Sequence, residues 1–174
     1  MKRRLLLKAG PGTALVALTA LTGALSGCGF QLRRDPALPF KRVALVGFGA
    51  RSSQAAALRR AMGHEVEFVS LASQAEAVVI ALAEAQARAV VGSTAAGQVR
   101  EIQLRVRLRY RITGGDGKEW LGPTELSQTR DMTYNETMAL AKELEQGQLV
   151  RDMEADIARQ VVRQLSSLRR PGSP

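Results

Sequence analysis

One cysteine offers the most specific chemistry in the sequence. Cys28 is the only cysteine among the 174 residues, so it cannot close a disulfide within the chain. It follows a basic start between residues 2 and 8 and an apolar run, 15–21, which is too short to span a bilayer, since a span needs about 20 apolar residues. This arrangement is typical of an export signal that is cleaved from residues 1–27. Arg3-Arg4 also fits a twin-arginine signal, although a generic basic start is the interpretation we favour.

The residues before the cysteine predict what happens to its thiol. Leu25-Ser26-Gly27-Cys28 resembles the lipobox of bacterial lipoproteins. The resemblance implies that the Cys28 thiolate, a soft nucleophile, takes a diacylglycerol. It also implies that the new amino group takes an acyl chain such as palmitate. Three acyl chains exceed the two lipid signals that stable anchoring requires. We predict no other cofactor and no metal.

Two blocks that lie far apart in the chain identify a family. The predicted mature chain begins Cys28-Gly29-Phe30-Gln31-Leu32-Arg33, and Met138-Ala139-Leu140-Ala141-Lys142 precedes a long predicted helix near the other end. In this order and spacing they resemble the LptE family of lipopolysaccharide-assembly lipoproteins. The resemblance implies a protein on the periplasmic side of the outer membrane that plugs the barrel LptD, supports its assembly and binds lipopolysaccharide.

The charge balance is compatible with such partners. Four of the 25 basic residues lie in the signal, which leaves 21 basic and 16 acidic residues, a net charge of +5, in the 147 residues after it. A positive exported protein favours anionic partners such as lipid head groups, lipid A phosphates or an acidic protein surface. Export disfavours nucleic acid. The length suits one domain with a core, which we place at 41–170, after a tether at 28–40 and before a tail at 171–174.

Hydrophobic periodicity predicts an α+β fold. Residues from Ile102 to Ile112 alternate strictly between apolar and polar, which is typical of a strand with one buried face. Because its polar face must stay uncovered, we predict two layers, with two helices on one face of a mostly antiparallel four- or five-stranded sheet. The predicted strands are Lys41–Val46, Glu65–Val69, Ala75 to about Arg88, Ile102–Ile112 and Trp120–Arg130, and the predicted helices are Gln54–Met62 and a long helix whose apolar stripe follows Gly147.

Several local patterns have two interpretations. The alanine content of Ala75–Val91 favours a helix, whereas its alternation favours a strand, which we choose with the help of the family resemblance. Gly47-Phe48-Gly49 after the first strand lacks the third glycine of a nucleotide-binding fingerprint, so we predict a turn. Pro123 predicts an irregular or edge strand. Carboxylates of the long helix, Glu154 among them, are assigned to its solvent face.

The candidate binding residues are all basic. Four arginines of one strand would follow one another about 6.6 Å apart on its polar face, and the arginine fork suits phosphate. The family resemblance adds Lys142 as a lipopolysaccharide contact, whereas a second basic position of the family falls near Ala95 here, and Arg100 is our candidate to replace it. The predicted lipopolysaccharide-binding residues are Arg100, Arg105, Arg107, Arg109, Arg111 and Lys142. Solvated or ion-paired arginines, or contacts to the barrel, would explain the same pattern.

No catalytic motif is recognisable in the sequence. His64 is the single histidine, and there is no Gly-x-Ser-x-Gly, His-Glu-x-x-His or Walker loop. We therefore predict that the protein is not an enzyme. The alternative to the barrel plug is a free lipoprotein facing the periplasm that binds a small ligand or scaffolds the envelope. An apolar cavity would favour this alternative, and a broad polar face would favour the plug.

Overall fold

The computed structural model describes residues 38–64 and 66–168 of the chain. Cys28, the predicted signal, most of the predicted tether and the tail lie outside the described residues. The described chain forms a five-stranded sheet in the order β2-β1-β3-β4-β5. The strands are β1 Arg42–Val46, β2 Glu67–Phe68, β3 Ala77–Ser93, β4 Val99–Gly114 and β5 Glu119–Thr133, and the helices are α1 Ser53–Met62 and α2 Ala139–Ser167.

The long strands β3, β4 and β5 are antiparallel, whereas β1 runs parallel to both of its neighbours. Both helices pack on one face of this sheet and share a single core with it. The two-layer α+β prediction is therefore confirmed. We call the sheet face without helices the open face.

Strand β4 places its apolar residues on the helix side, as its alternation predicts. Ile102, Leu104, Val106, Leu108, Tyr110 and Ile112 are all buried. The Tyr110 hydroxyl donates a hydrogen bond to Oε1 of Gln164 on α2. Burial raises the pKa of Tyr110 to about 12, because the phenolate loses its hydration inside the core.

The first strand leads into α1 through the predicted turn. Gly47 has a φ of 79°, which glycine adopts without a steric penalty. Ser52 then caps α1, since its Oγ accepts from the Ala55 amide at 2.9 Å. Gly63, at φ 71°, ends the helix. Glu65, the first residue of the next predicted strand, lies outside the described residues, and of the rest only Glu67 and Phe68 form the strand that pairs with β1.

Residues 77–93 form strand β3, so the strand interpretation of the alanine-rich segment is correct and the strand runs past the predicted end. Pairing with β4 along its whole length outweighs the weak helix preference of alanine. Ala81 pairs with Tyr110 and Ala83 pairs with Arg109, so Leu82 is an extra residue on β3. This bulge exchanges the two faces of the strand, because side chains alternate with a period of two.

Strand β5 is an edge strand, as Pro123 predicts. The hairpin turn before it is closed by a 3.0 Å hydrogen bond from the Gly117 amide to the Gly114 carbonyl. The pairing of β5 with β4 shifts register between Tyr110 and Ile112, opposite the segment that contains Pro123. Trp120, near the start of β5, stacks on buried Phe40 with ring centroids 5.3 Å apart.

Helix α2 starts earlier than its apolar stripe and passes through Gly147 without a break. Asn135 caps the short 3₁₀ turn that leads into it, by accepting from the Thr137 amide at 3.0 Å. The buried stripe of α2 has the predicted spacing. Its buried apolar residues are Met153, Ile157, Ala158, Val161, Val162 and Leu165.

Glu154 corrects the prediction that it lies on the solvent face of α2. Its side chain is only 2% exposed. It accepts hydrogen bonds from the Ser53 hydroxyl at the start of α1 and from Nε2 of Gln86 on β3, the latter at 2.8 Å. The flank of α2 that carries Glu154 is therefore covered by α1 and β3, and its polar partners compensate for the burial of the carboxylate.

Candidate functional site

The open face carries three exposed arginines in one row along β4. Arg105, Arg107 and Arg109 are exposed, whereas the residues between them are buried on the helix side. Each arginine lies between an alanine of β3 and a polar residue of β5. The three cross-strand rows are Ala83–Arg109–Glu125, Ala85–Arg107–Ser127 and Ala87–Arg105–Thr129. The predicted cationic strip therefore exists, and small side chains flank it at every position except that of Glu125.

These arginines are not neutralised within the part of the chain that the structure describes. Glu125 lies opposite Arg109 in the ladder, but none of the three arginines forms an ion pair with a described residue. Among the described residues, Arg105 donates only to Oε1 of Gln103, at 3.3 Å. Their guanidinium groups are thus oriented to solvent and available to an external anion.

Arg111, the fourth arginine of the predicted strip, differs from the other three. It is half-buried beside Ile80, and its buried Nε has no hydrogen-bond partner among the described residues. Near it, the open face carries a small apolar cluster that includes Ala44 and Val78. The exposed strip therefore covers three arginines, since packing beside Ile80 of β3 partly encloses the fourth.

Lys142 and Arg100 lie together at the end of the sheet where β3 turns into β4. The Lys142 ammonium is 2.8 Å from Oε2 of Glu145 and 3.2 Å from the Thr133 hydroxyl, and its side chain is 17% exposed. Thr133 pairs with the residue next to Arg100. Arg100 is exposed and donates to Oε1 of Gln98 at 3.0 Å. Both cations are held near the same strand ends by neighbouring side chains.

A further cation at this end was missed by the sequence interpretation. The Arg88 guanidinium lies 5.6 Å from the ring centroid of Tyr134, and the Tyr134 amide donates to the Arg100 carbonyl. The bulge at Leu82 moves Arg88 to the helix side of β3, and simple alternation from residue 78 onward does not reveal such a shift. Ala95 lies exposed in the turn, so the family's second basic position has no cation at that residue.

Two further sequence candidates were the glycine-containing turn after β1 and the single histidine. Gly49 donates its amide to Oε2 of Glu84 at 3.2 Å, so a carboxylate occupies the loop where a phosphate would have to bind. The turn interpretation of Gly47-Phe48-Gly49 is thus confirmed. His64 is exposed in the turn after α1.

Residues 38–64 and 66–168 contain neither a cluster of metal ligands nor a membrane-spanning helix. Over these ranges no group of three or more His, Cys, Asp or Glu side chains is placed to hold a metal ion. None of the helices there is long and apolar enough to cross a membrane.

A cavity of about 420 Å³ lies near the β4–β5 turn, away from the exposed arginines. Arg42 and Glu76, which form an ion pair at 3.9 Å, belong to its lining. The other lining residues are Gly114, Gly115, Asp116, Lys118 and Trp120. Four of the seven lining residues are charged and two are glycines, so Trp120 is the one large apolar side chain in the lining, whereas small-ligand sites are typically lined by several.

The architecture and the open face define a small two-layer α+β protein whose most distinctive chemistry is a cationic sheet surface. The sequence matches the family LptE, described as lipopolysaccharide-assembly, over residues 40–165. The chain therefore belongs to the LptE family.

Solved structures of bacterial lipoproteins have the same fold. Lipoprotein B from Nitrosomonas europaea has 27% sequence identity and a TM-score of 0.65, over 80% of this chain and 91% of that one. A minor lipoprotein from Acinetobacter baumannii has 19% identity and a TM-score of 0.60, over 75% and 93% of the two chains. Rare lipoprotein B from Shewanella oneidensis has 22% identity and a TM-score of 0.60, over 72% and 94%. No curated protein matches the chain.

Proposed function

We propose that the protein is a lipid-anchored, non-enzymatic subunit of lipopolysaccharide assembly that plugs the barrel LptD and binds lipopolysaccharide. The observation that carries the proposal is the open face, where Arg105, Arg107 and Arg109 are exposed and without ion pairs to described residues. Membership in the LptE family supports the same role. The exposed arginines of this face suit contact with a water-filled lumen or an anionic ligand.

Phosphate groups of lipid A are the chemistry that these cations fit. Arginine forks donate paired hydrogen bonds to phosphate oxygens, and such charge-assisted bonds are about twice as strong as neutral ones. Lys142 and Arg100 add cations at the end of the sheet. Lys142 would exchange its bond to Glu145, whose side chain is 47% exposed so that solvent screens the pair, for a bond to phosphate.

Anchoring completes the proposal. Cys28 carries the diacylglycerol and the N-acyl chain and holds the domain at the periplasmic side of the outer membrane. Gly29, rather than aspartate, follows the cysteine, which by analogy with lipoprotein sorting in enteric bacteria is compatible with delivery to that membrane. The alternative of a free lipoprotein with a small-ligand site gains no support from the charged cavity near the β4–β5 turn.

Charge reversal tests the binding part of the proposal. Lys142→Glu, and separately Arg105→Glu combined with Arg107→Glu, would be compared with the unmodified lipoprotein in detergent. Because one charge-assisted hydrogen bond contributes roughly 1.5–3 kcal/mol, lipopolysaccharide binding should weaken about tenfold or more, and the loss should shrink at high salt.

Controls separate binding from folding and from net charge. Arg163→Glu, alone or with Arg151→Glu, makes the same charge changes on the exposed face of α2 and should leave affinity almost unchanged. Thermal unfolding would verify that each variant is folded. Equal lipopolysaccharide affinity for the unmodified protein and for both the Lys142 and the Arg105/Arg107 variants would remove the binding claim and leave only the plug role.

A further inference from the structure

One edge of the sheet is long and has no neighbouring strand. β1 pairs with β3 only from Ala77 to Ile80. Beyond the bulge, residues 82–93 of β3 have β4 on one side and, among the described residues, no strand on the other. Such an edge presents a row of unpaired backbone donors and acceptors, which is a template for another strand.

Between the bulge at Leu82 and the register shift that follows Val90, residues 83–90 of this edge run without a bulge or a proline. β5, the edge on the opposite side, has Pro123 and a shifted register, and it is rich in charged residues. By contrast, residues 82–93 contain no proline and only two charged residues, Glu84 and Arg88. Leu82, Val90 and Val91 are 43%, 56% and 51% exposed. The exposed apolar residues and the regular stretch between the two irregularities make this edge the more favourable of the two for strand addition.

The sequence of the open edge is complementary to itself. In an antiparallel pair, residues that face each other point to the same side of the sheet, so helix-side residues must face helix-side residues. The allowed registers therefore differ by steps of two. In one of these registers, Glu84 of each copy lies opposite Arg88 of the other copy, so the same charge pair occurs twice. The two Gln86 residues then lie opposite each other. A step of two in either direction places Glu84 opposite Gln86 or Val90 instead.

We propose that the β3 edge, centred on Gln86, pairs with the same edge of a second copy of this chain to form a continuous antiparallel sheet. The contact is isologous, as expected for a two-fold dimer. On the open face only alanines meet, Ala85 with Ala87 and Ala83 with Ala89, so nothing bulky opposes close approach. This self-association goes beyond the proposed role in lipopolysaccharide assembly and does not depend on it.

The helix side of the edge is held in position before any pairing. Glu84 accepts hydrogen bonds from the Ser52 hydroxyl and the Gly49 amide. Gln86 donates to Glu154 at 2.8 Å. The Arg88 guanidinium rests over Tyr134. Because these side chains are already ordered, pairing loses less conformational entropy than it would for a mobile edge.

The test uses the full lipoprotein in detergent, with its mass measured by sedimentation at increasing concentrations up to about 0.1 mM, a range that detects micromolar association. We expect a concentration-dependent dimer. Arg88→Glu would place two glutamates opposite each other at both symmetric positions, and like charges directly opposite destabilise strand pairs. Dimerisation should therefore weaken about tenfold. Arg163→Glu, the matched charge change on α2, should leave it unchanged.

Hydrogen exchange locates the contact independently of any substitution. Amides within 84–90 should exchange more slowly in concentrated than in dilute protein, while those of β5 should not change. A monomer at all concentrations would overturn the proposal. So would a dimer that tolerates Arg88→Glu as well as Arg163→Glu, or one whose protected amides lie elsewhere.

Discussion

At the scale of single residues, Glu154 shows how a helix side chain of ordinary appearance acquires a structural role. Its carboxylate accepts from Ser53 and Gln86 while it is 2% exposed. Glu154→Ala would remove two hydrogen bonds to a charged group, and each such bond contributes roughly 1.5–3 kcal/mol, less where the donor, like those of Ser53 and Gln86, belongs to an exposed residue that can bond to water. We expect a loss of about 2–3 kcal/mol in urea unfolding.

Two variants make the Glu154 prediction specific. Glu154→Gln keeps an acceptor oxygen and should cost less than Glu154→Ala. Glu143→Ala removes an exposed glutamate from the same helix and should stay within about 0.5 kcal/mol. Equal losses for Glu154→Ala and Glu143→Ala would mean that the buried network contributes nothing.

The raised pKa of Tyr110 predicts that the unfolding free energy falls at alkaline pH. Its folded pKa of about 12 exceeds the ordinary value of 10.0, so the unfolded chain loses this proton first as the pH rises. The contribution to stability is complete below pH 10 and declines between pH 10 and 12. At pH 11 the decline should be about 1.4 kcal/mol, one pKa unit.

Comparison with Tyr110→Phe isolates this titration from that of other groups. The variant loses the hydrogen bond to Gln164, which costs about 1 kcal/mol near neutral pH. It should then lose less stability than the unmodified protein from pH 9 to pH 11. Parallel curves of unfolding free energy against pH would refute the assignment.

At the scale of elements, the turn between β1 and α1 depends on one of its two glycines. Gly47 has a φ of 79°, and a Cβ added to it would lie 2.4 Å from the Ala81 carbonyl oxygen. Gly49 has no atom within 4 Å of such a Cβ. Gly47→Ala should therefore destabilise the fold by about 1–3 kcal/mol.

Gly49→Ala is the matched control and should change the unfolding temperature little. If both substitutions were equally tolerated, the close approach of Gly47 to β3 would not constrain the turn. If both were equally harmful, the glycine pair would have a requirement beyond this geometry.

The predictability of each element follows from how local its determinants are. For β4 the sequence predicts both the strand and which of its residues face the helices, because its alternation is strict and one face is buried. For β3 the sequence predicts a strand but not which of its residues face the helices after Leu82, since the bulge there depends on pairing with β4. The burial of Glu154 arises from contacts with α1 and β3 and leaves no local signal. The partial burial of Arg111 likewise depends on its position beside Ile80 of β3, which the sequence of β4 does not reveal.

At the scale of the whole molecule, the sequence predicted the two layers and the basic surface, but not the strand order. The placement of β1 between β2 and β3 follows from parallel connections that periodicity does not encode. The cationic row on the open face follows directly from the phase of β4. The lipid anchor at Cys28 and the partner remain predictions, because they concern chemistry outside the described residues.

Co-purification from detergent-solubilised outer membrane tests the central claim, that this protein works in lipopolysaccharide assembly as the plug of a barrel. The lipoprotein would be tagged at its C-terminus, isolated under mild conditions, and its partners identified by mass. We expect LptD in near-equimolar amount, and we expect it to persist with Lys142→Glu while bound lipopolysaccharide is lost. Recovery of a folded, membrane-anchored lipoprotein without any barrel protein would contradict the account.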